Sequence, residues 1–470
     1  MIDLKKKGAF AMKYNKQILG FFSGIIVLIV ALLLPLNGLA WEGQVFLGLT
    51  LMTVVWWATQ VAQSGYVGGF YIVSLCLLKL ADTKVIFASW TGSTLWLVIG
   101  AYMIATAVKR SGLGERISYM YILKFVRSWK SIIIGIFVLT LILSLLIPNP
   151  WSRAFLIMSV MSVVIKAARM PKEDAVKVGF TVFAASVPVS LIFMTGDSII
   201  NPLVVSYSTE SINFVRWFVI MGPPAIFLSV MNILLILTLF KPTKEVSMNF
   251  DEVQKAQSDL GKMNEKEIRT LIWILIAIVL WVTNGITGLD IGWVTLAVAM
   301  CLSLPVIGNV LTAKEWGEVP VHVLVFLTAA IAIGKVGAET GLNDWLAVTL
   351  LPGKMPENIF VLALFIGVIA VVIHMFIGSV IAAMGVAVPA VLVCTNALGI
   401  NPFVIAAIIY LVVYTHYIMP FHHLNILVGQ GEENGMYTQK ETMKMGVPLL
   451  VPVFLTVIFG VAWFSVLGLV

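Results

Sequence analysis

The stretch Ile147-Pro148-Asn149-Pro150-Trp151-Ser152-Arg153 interrupts a long apolar region, with residues 131–146 before it and 154–164 after it. Each arm alone falls short of a membrane crossing, which takes roughly 20 apolar residues in a helix. Pro148 and Pro150 lack backbone donors and are expected to break any helix here. Non-helical backbone at membrane depth is tolerated only where protein surrounds it or it lines a watery cavity. The arms are therefore read as a re-entrant hairpin over residues 131–168, with Asn149, Ser152 and Arg153 at its tip. A guanidinium at that depth is costly, so Arg153 is expected to face a cavity or an anion. The plain alternative is an arginine that snorkels from the end of an ordinary span.

The rest of the chain fits a membrane setting. Its 470 residues are 60% hydrophobic and 11% charged, with a mean hydropathy of +1.02. That composition defines an all-α polytopic membrane protein and excludes a soluble domain. The formal charge of +7 sits in clusters between apolar segments, the pattern of cytoplasmic loops and not of a nucleic-acid partner. Cys76, Cys301 and Cys394 are scattered within apolar stretches, without metal-like spacing. Lys5, Lys6, Lys7, Lys13 and Lys16 precede the apolar run 18–36, which is longer than a signal-peptide core. A retained first span with a cytoplasmic N-terminus is expected.

Further apolar segments occupy about 45–61, 65–80 and 86–108. Residues 109–130 hold Lys109, Arg110, Arg116, Lys124, Arg127 and Lys130 against Glu115 alone, with Leu113, Ile117, Met120, Leu123 and Val126 at near-helical spacing. That pattern predicts a basic amphipathic helix on the inner membrane surface. Residues 178–205 are apolar but interrupted by Pro188 and by Thr195-Gly196-Asp197-Ser198, which predicts an unwound helix lining the same cavity. Residues 241–269 form a long polar loop, with a helix expected from Asp251 to Leu260.

The second half repeats this plan. Spans at 271–286, 292–310 and 321–336 precede a second hairpin over 358–397, whose tip is Gly378-Ser379-Val380. A further span breaks at Pro420-Phe421-His422-His423-Leu424-Asn425, and 447–469 is the last crossing. An offset of 229 residues relates Gly112 to Gly341 and Asn149 to Gly378. Two inverted repeats, each with a re-entrant hairpin and a broken helix, predict a secondary transporter.

Three stretches resemble the divalent anion/sodium symporter family of the ion transporter superfamily. They are residues 96–117 (WLVIGAYMIATAVKRSGLGERI), residues 265–290 (EKEIRTLIWILIAIVLWVTNGITGLD) and residues 321–346, which end in ETGLNDWL. The resemblance covers nearly the whole chain. It implies a homodimer in the plasma membrane, each protomer with about eleven transmembrane helices. It implies a scaffold from residues 1–130 and 270–354, with 109–130 as linker helix, and an elevator-like transport domain from 131–240 and 355–470. The loop 241–269 joins the halves. Dicarboxylates, tricarboxylates or sulfate would be carried, with no cofactor. In that family each hairpin tip bears Ser-Asn-Thr, which holds a sodium ion and a substrate carboxylate, and each broken helix bears a Thr-Pro-Pro-Asn-like loop. Here Asn149-Pro150-Trp151 and Gly378-Ser379-Val380 stand at the tips, and Thr195-Gly196-Asp197-Ser198 and His422-His423-Leu424-Asn425 at the breaks.

Substrate contacts are thus expected from Asn149, Pro150, Trp151, Ser152, Arg153, Thr195, Gly196, Gly378, Ser379, Val380, His422, His423 and Asn425. Arg153 stays charged at physiological pH and can grip a carboxylate through two parallel hydrogen bonds. His422 and His423 are expected to charge beside a dianion. These three would stand in for sodium, and Asp197 is a cation or proton site or a partner of Arg153. One arginine and two imidazoles suit a C4 or C5 dicarboxylate. An empty site with uncompensated positive charge is costly to move through a low dielectric, so sodium-independent exchange is expected. Sodium- or proton-coupled di/tricarboxylate or sulfate symport is the alternative. A satisfied core is the bland reading of the histidine pair, and helix–helix hydrogen bonding that of His374 and His416. A channel lacks its charge rings here, and no zinc or nucleophile motif points to an enzyme. An arsenite or sodium/proton antiporter would want more cavity carboxylates than Asp197.

Overall fold

The computed structural model describes residues 2–59, 61–244, 251–342, 345, 356–376, 380–395, 398–418, 422–432 and 434–470. The first stretch of chain forms α1 (Ile2–Leu33), α2 (Trp41–Thr59), α3 (Ser64–Leu77), α4 (Thr94–Ser111) and α5 (Leu113–Phe125). Next come α6 (Trp129–Ser144), α7 (Pro150–Ala167), α8 (Lys172–Ser190), α9 (Ile200–Val205) and α10 (Phe214–Leu239). The second half supplies α11 (Asp251–Asp259), α12 (Glu265–Val282), α13 (Ile291–Ser303), α14 (Val321–Glu339) and α15 (Ile359–Phe376). The chain closes with α16 (Val380–Thr395), α17 (Pro402–Thr415), α18 (Leu424–Val428), α19 (Gln439–Gly446) and α20 (Leu450–Val466). Among the described residues the only strand-like pairing is an isolated bridge between Gln430 and Tyr437.

Among those residues, Pro150–Ala167, Phe214–Leu239 and Val321–Glu339 are long and apolar enough to cross a bilayer singly. Gln439–Gly446 and Leu450–Val466 do so as a pair bent by 44°. Trp129–Ser144, Ile291–Ser303, Ile359–Met375 and Pro402–Thr415 are shorter apolar helices. The second arm of the first hairpin is longer than its apolar run because Pro150 does not break it. Pro150 occupies the first helical position, where a missing N–H is no loss and the fixed φ suits a helix. The expected span over 86–108 is divided, with short helices at Thr83–Ile86 and Ala88–Thr91 before α4.

Two compact units are present: residues 1–95 with 320–413, and residues 96–319 with 414–470. The helices α15 and α16 fall in the first unit and α6 and α7 in the second. In the first unit α1 packs on α2, and α3 packs on α14. Gly65 permits the latter approach, because a Cβ there would lie 2.1 Å from the carbonyl oxygen of His322.

In the second unit α8 is the central pillar. It packs against α6, α7, α10 and α18, and every residue from Val178 to Ser190 is buried. Lipid offers no hydrophobic drive between helices, so close backbone approach and internal hydrogen bonds must hold them. Gly179 on α8 meets the turn before α19 closely enough that a Cβ would lie 1.8 Å from the Gly435 carbonyl oxygen. At the start of α8 the buried Asp174 accepts from Lys177 Nζ (2.9 Å) and Thr243 Oγ1 (2.7 Å).

The amphipathic segment forms α5, whose protein-facing side takes in Leu113 together with polar residues. Met120 is exposed, whereas Arg116, Ser118, Tyr119 and Ile122 are buried. Arg116 decides this. Its Nε and Nη2 donate to the two carboxylate oxygens of Glu267 at 2.7 and 3.1 Å, and Nη1 donates to the Gly261 carbonyl at 2.9 Å. Burying that fork pulls its helical face against α12 and the loop before it. Glu267 also caps α12, accepting from the Asn264 backbone N–H at 2.7 Å.

Candidate substrate site

The break between α6 and α7 and the break between α8 and α9 meet in the second unit. Asn149 caps α7, its Oδ1 accepting from the N–H groups of Trp151 (3.1 Å) and Ser152 (3.0 Å). Pro148, immediately before it, offers its carbonyl to the Ser198 N–H at 3.2 Å. One turn into α7, Arg153 is fully buried. Its Nη1 donates to the carbonyls of Ile147 (2.9 Å) and Gly196 (3.2 Å), one on each break. Its Nη2 donates to Ser190 Oγ (2.5 Å) and Ser186 O (3.3 Å) on α8. Four of the five guanidinium donors are thus engaged by protein. Ser186 Oγ in turn donates to the Pro150 carbonyl at 2.9 Å.

The second break is held open by polar side chains. Asp197 Oδ1 accepts from the N–H groups of Ile199 (2.9 Å) and Ile200 (3.1 Å), satisfying orphan donors at the start of α9. Asn201 Nδ2 donates to the carbonyls of Ser190 (2.9 Å) and Phe193 (3.0 Å), tying the end of α8 and the turn after it to α9. Trp217 Nε1 on α10 takes the Leu191 carbonyl at 3.0 Å. Gly196 fits only as glycine, because a Cβ would lie 2.4 Å from the Ser190 carbonyl oxygen.

The C-terminal quarter adds the remaining wall. Tyr414, near the end of α17, donates its hydroxyl to Asp197 Oδ2 at 2.7 Å. His423 stacks edge-on against Tyr414 with ring centroids 4.8 Å apart, and its Nδ1 accepts from the Asn425 N–H at 3.1 Å. Asn425 Nδ2 donates to the Phe183 carbonyl of α8 at 2.7 Å. His422 is buried with its ring 4.4 Å from that of His416. Arg153 and Asp197 act on each other electrostatically, yet among the described residues no ion pair joins them.

Asn149, Pro150, Arg153, Gly196, Asp197, His423 and Asn425 thus belong to one connected network; Thr195 is buried in the second break outside its hydrogen bonds, and Trp151 and Ser152 are half-buried beside it. Gly378 and Ser379 lie outside the described residues, and Val380 opens α16 in the other unit. Sequence reasoning missed Ser186, Ser190, Asn201 and Tyr414. The two serines had a legible signal, standing four apart on one face of a helix one turn before the break.

The fold is that of a membrane transporter. It aligns with the crystal structure of the YdaH transporter of Alcanivorax borkumensis at a TM-score of 0.58 and 13% identity, covering 90% of this chain and 98% of the other. The chain belongs to the divalent anion/sodium symporter family, since the model of the sodium:sulfate symporter transmembrane region matches residues 15–470. Among curated relatives, a membrane protein of Cupriavidus necator is 23% identical, over 92% of this chain and 89% of its own length. The sodium-dependent dicarboxylate transporter SdcS of Staphylococcus saprophyticus is 23% identical over 72% of each chain. The chloroplastic dicarboxylate transporter 1 of Spinacia oleracea is 26% identical, over 79% of this chain and 67% of its own. The protein is therefore a multi-pass membrane transporter and not an enzyme.

Proposed function

We propose that this chain is a secondary active transporter of C4 or C5 dicarboxylate anions, such as succinate or 2-oxoglutarate. The observation that carries the reading is a set of buried polar atoms on the two breaks and α18. Arg153 Nε, Thr195 Oγ1, Ser198 Oγ, His423 Nε2 and Asn425 Oδ1 have no hydrogen-bond partner among the described residues. Buried groups of this kind are costly unless something arrives to satisfy them. Three donors or donor-acceptors beside a guanidinium suit carboxylate oxygens. The names of the staphylococcal and spinach relatives point to the same substrate class.

Charge balance bears on the coupling. Exchange was expected from an uncompensated Arg153, but Asp197 is buried in the same centre. With Arg153 and Asp197 formally cancelling, a dicarboxylate brings the centre to about minus two, and moving that charge through a low dielectric is costly. Two cations restore neutrality, either protons on His422 and His423 or sodium ions on the oxygens of Thr195, Ser198 and Asn425. We therefore favour cation-coupled symport by an elevator motion in a dimeric carrier. Sodium-independent exchange is the second reading, which rests on a fixed Arg153 charge at the tip.

Radiolabelled succinate uptake into proteoliposomes, with and without internal succinate, tests both. Uptake into empty vesicles that follows a sodium or pH gradient supports symport. Uptake that requires internal succinate and ignores both gradients establishes exchange, and absence of succinate, 2-oxoglutarate and malate uptake under every condition overturns the dicarboxylate assignment.

A further inference from the structure

The second unit contains a cavity of about 460 Å³ far along α8 from the breaks, at the opposite end of that helix. It is lined by Lys172, Lys177, Lys440 and Lys444, with Val176, Phe240 and Met445 as its apolar floor and Glu173 and Glu441 at its sides. The four lysines are not equivalent. Lys172 pairs with Glu432 at 2.6 Å, and Lys177 bonds Asp174 at 2.9 Å and the Lys241 carbonyl at 2.8 Å. Lys440 and Lys444 have no ion pair or hydrogen bond among the described residues. They stand four apart on α19, and that spacing puts both ammonium groups on one face of the helix. Glu441 offsets them only in part: it interacts electrostatically with Lys440, but its carboxylate caps α19 by accepting from the Thr438 backbone N–H at 2.9 Å and from the Thr438 hydroxyl, and it forms no ion pair with either lysine among the described residues.

The helices that frame the cavity also expose apolar side chains. Leu239, the last residue of α10, is 56% exposed, Val447 just after α19 is 49% exposed, and Met443 on α19 is 38% exposed. Both α10 and the α19–α20 pair qualify as membrane crossings. The cavity therefore stands where a spanning helix ends, with apolar residues turned outward and unengaged lysines turned toward it. Basic pockets between transmembrane helices near the interface suit anionic head groups. A volume in the usual range for small-ligand sites, roughly 300–1,000 Å³, admits a glycerophosphate.

We propose that this cavity binds the head group of an anionic phospholipid, with Lys440 and Lys444 gripping the phosphate and the acyl chains lying along Leu239 and Val447. A bound lipid there would tie the start of α8, whose far end holds Arg153, to the bent α19–α20 pair. The proposal does not depend on which anion is transported.

The test uses the full-length protein purified in a neutral detergent. Thermal unfolding is followed as phosphatidylglycerol, phosphatidylcholine, glycerol 3-phosphate or inorganic phosphate is added, and retained lipid is counted by native mass spectrometry. The expected result is a Tm rise of several degrees with phosphatidylglycerol and none with phosphatidylcholine. The double variant K440Q/K444Q should unfold at the wild-type temperature without lipid, lose at least half of that rise and retain less lipid, while K440R/K444R keeps both. Equal effects of the two phospholipids, or an undiminished phosphatidylglycerol effect in K440Q/K444Q, overturns the site. A matching rise with inorganic phosphate or glycerol 3-phosphate overturns the lipid and assigns a soluble anion instead.

Discussion

The hydroxyl of Tyr414 donates to Oδ2 of Asp197 at 2.7 Å, joining residues 217 positions apart in the chain. Both are fully or almost fully buried, so the bond is charge-assisted and shielded from water. Tyr414→Phe removes the donor and leaves a carboxylate oxygen without this partner. Hydrogen bonds to charged groups contribute about 1.5–3 kcal/mol. We expect a clear fall in Tm and uptake at least about tenfold slower, a factor that corresponds to about 1.4 kcal/mol. Wild-type Tm and uptake in the phenylalanine variant would show that the bond carries no weight.

Arg153 reaches acceptors on both breaks and on α8, which a planar fork can do and a point ammonium cannot. Arg153→Lys keeps the charge but abandons part of that network. The loss should be on the order of 3 kcal/mol, since several buried acceptors go unsatisfied. Thermal unfolding in detergent and succinate uptake in liposomes measure stability and function separately. A lysine variant equal to wild type in both would reduce Arg153 to a source of charge.

Gly196 lies against the Ser190 carbonyl with no room for a methyl group. Gly196→Ala must push backbone against backbone, and overpacking of this kind costs about 1–3 kcal/mol. Gly317→Ala is the control, because nothing lies within 4 Å of a Cβ there. A drop in Tm confined to the Gly196 variant is expected; equal behaviour of the two variants would remove the steric argument.

Glu315 predicts an acid-sensitive contribution outside the membrane. Hydrogen bonds from the Thr312 side chain and backbone, with the Arg110 guanidinium paired to it, push its carboxyl from 4.5 down to about 2. A depressed folded-state pKa stabilises the fold above the ordinary carboxylate value and loses that effect as pH falls through the folded value. Stability should decline between pH 4.5 and 2, and Glu315→Gln should lower Tm at pH 7 and flatten that decline. Parallel acid profiles for variant and wild type would contradict the assignment.

Much of the architecture is legible in composition and punctuation. Apolar runs bounded by basic clusters mark the helices, and Thr195-Gly196-Asp197-Ser198 marks a true interruption between α8 and α9. The proline at 150 misleads, because the same missing donor that breaks a helix interior is harmless at the first position. The role of Arg153 is legible only halfway. Burial of a charge near a break can be read from its neighbours, but three of the acceptors around it depend on Ser186 and Ser190 of α8 and Gly196 of the second break arriving beside it. Arg116 is hidden for a similar reason. Its partner Glu267 lies 151 residues away, and local periodicity carries no trace of it. Tyr414 sits in a uniformly apolar helix, where nothing local distinguishes a hydrogen-bonding tyrosine from a packing one.

The ties from Tyr414 to Asp197 and from Asn425 to Phe183 also bear on the order of synthesis. The first spans 217 residues and the second 242, so each donor leaves the ribosome long after its acceptor. In that interval the Asp197 carboxylate has only its neighbouring backbone amides, and the Phe183 carbonyl has no side-chain donor from α18. At about 5–20 residues per second the gap lasts on the order of ten seconds or more. The N-terminal half is therefore an unfinished structure with its polar centre open, and co-expressed half-chains should complement each other where either alone is degraded.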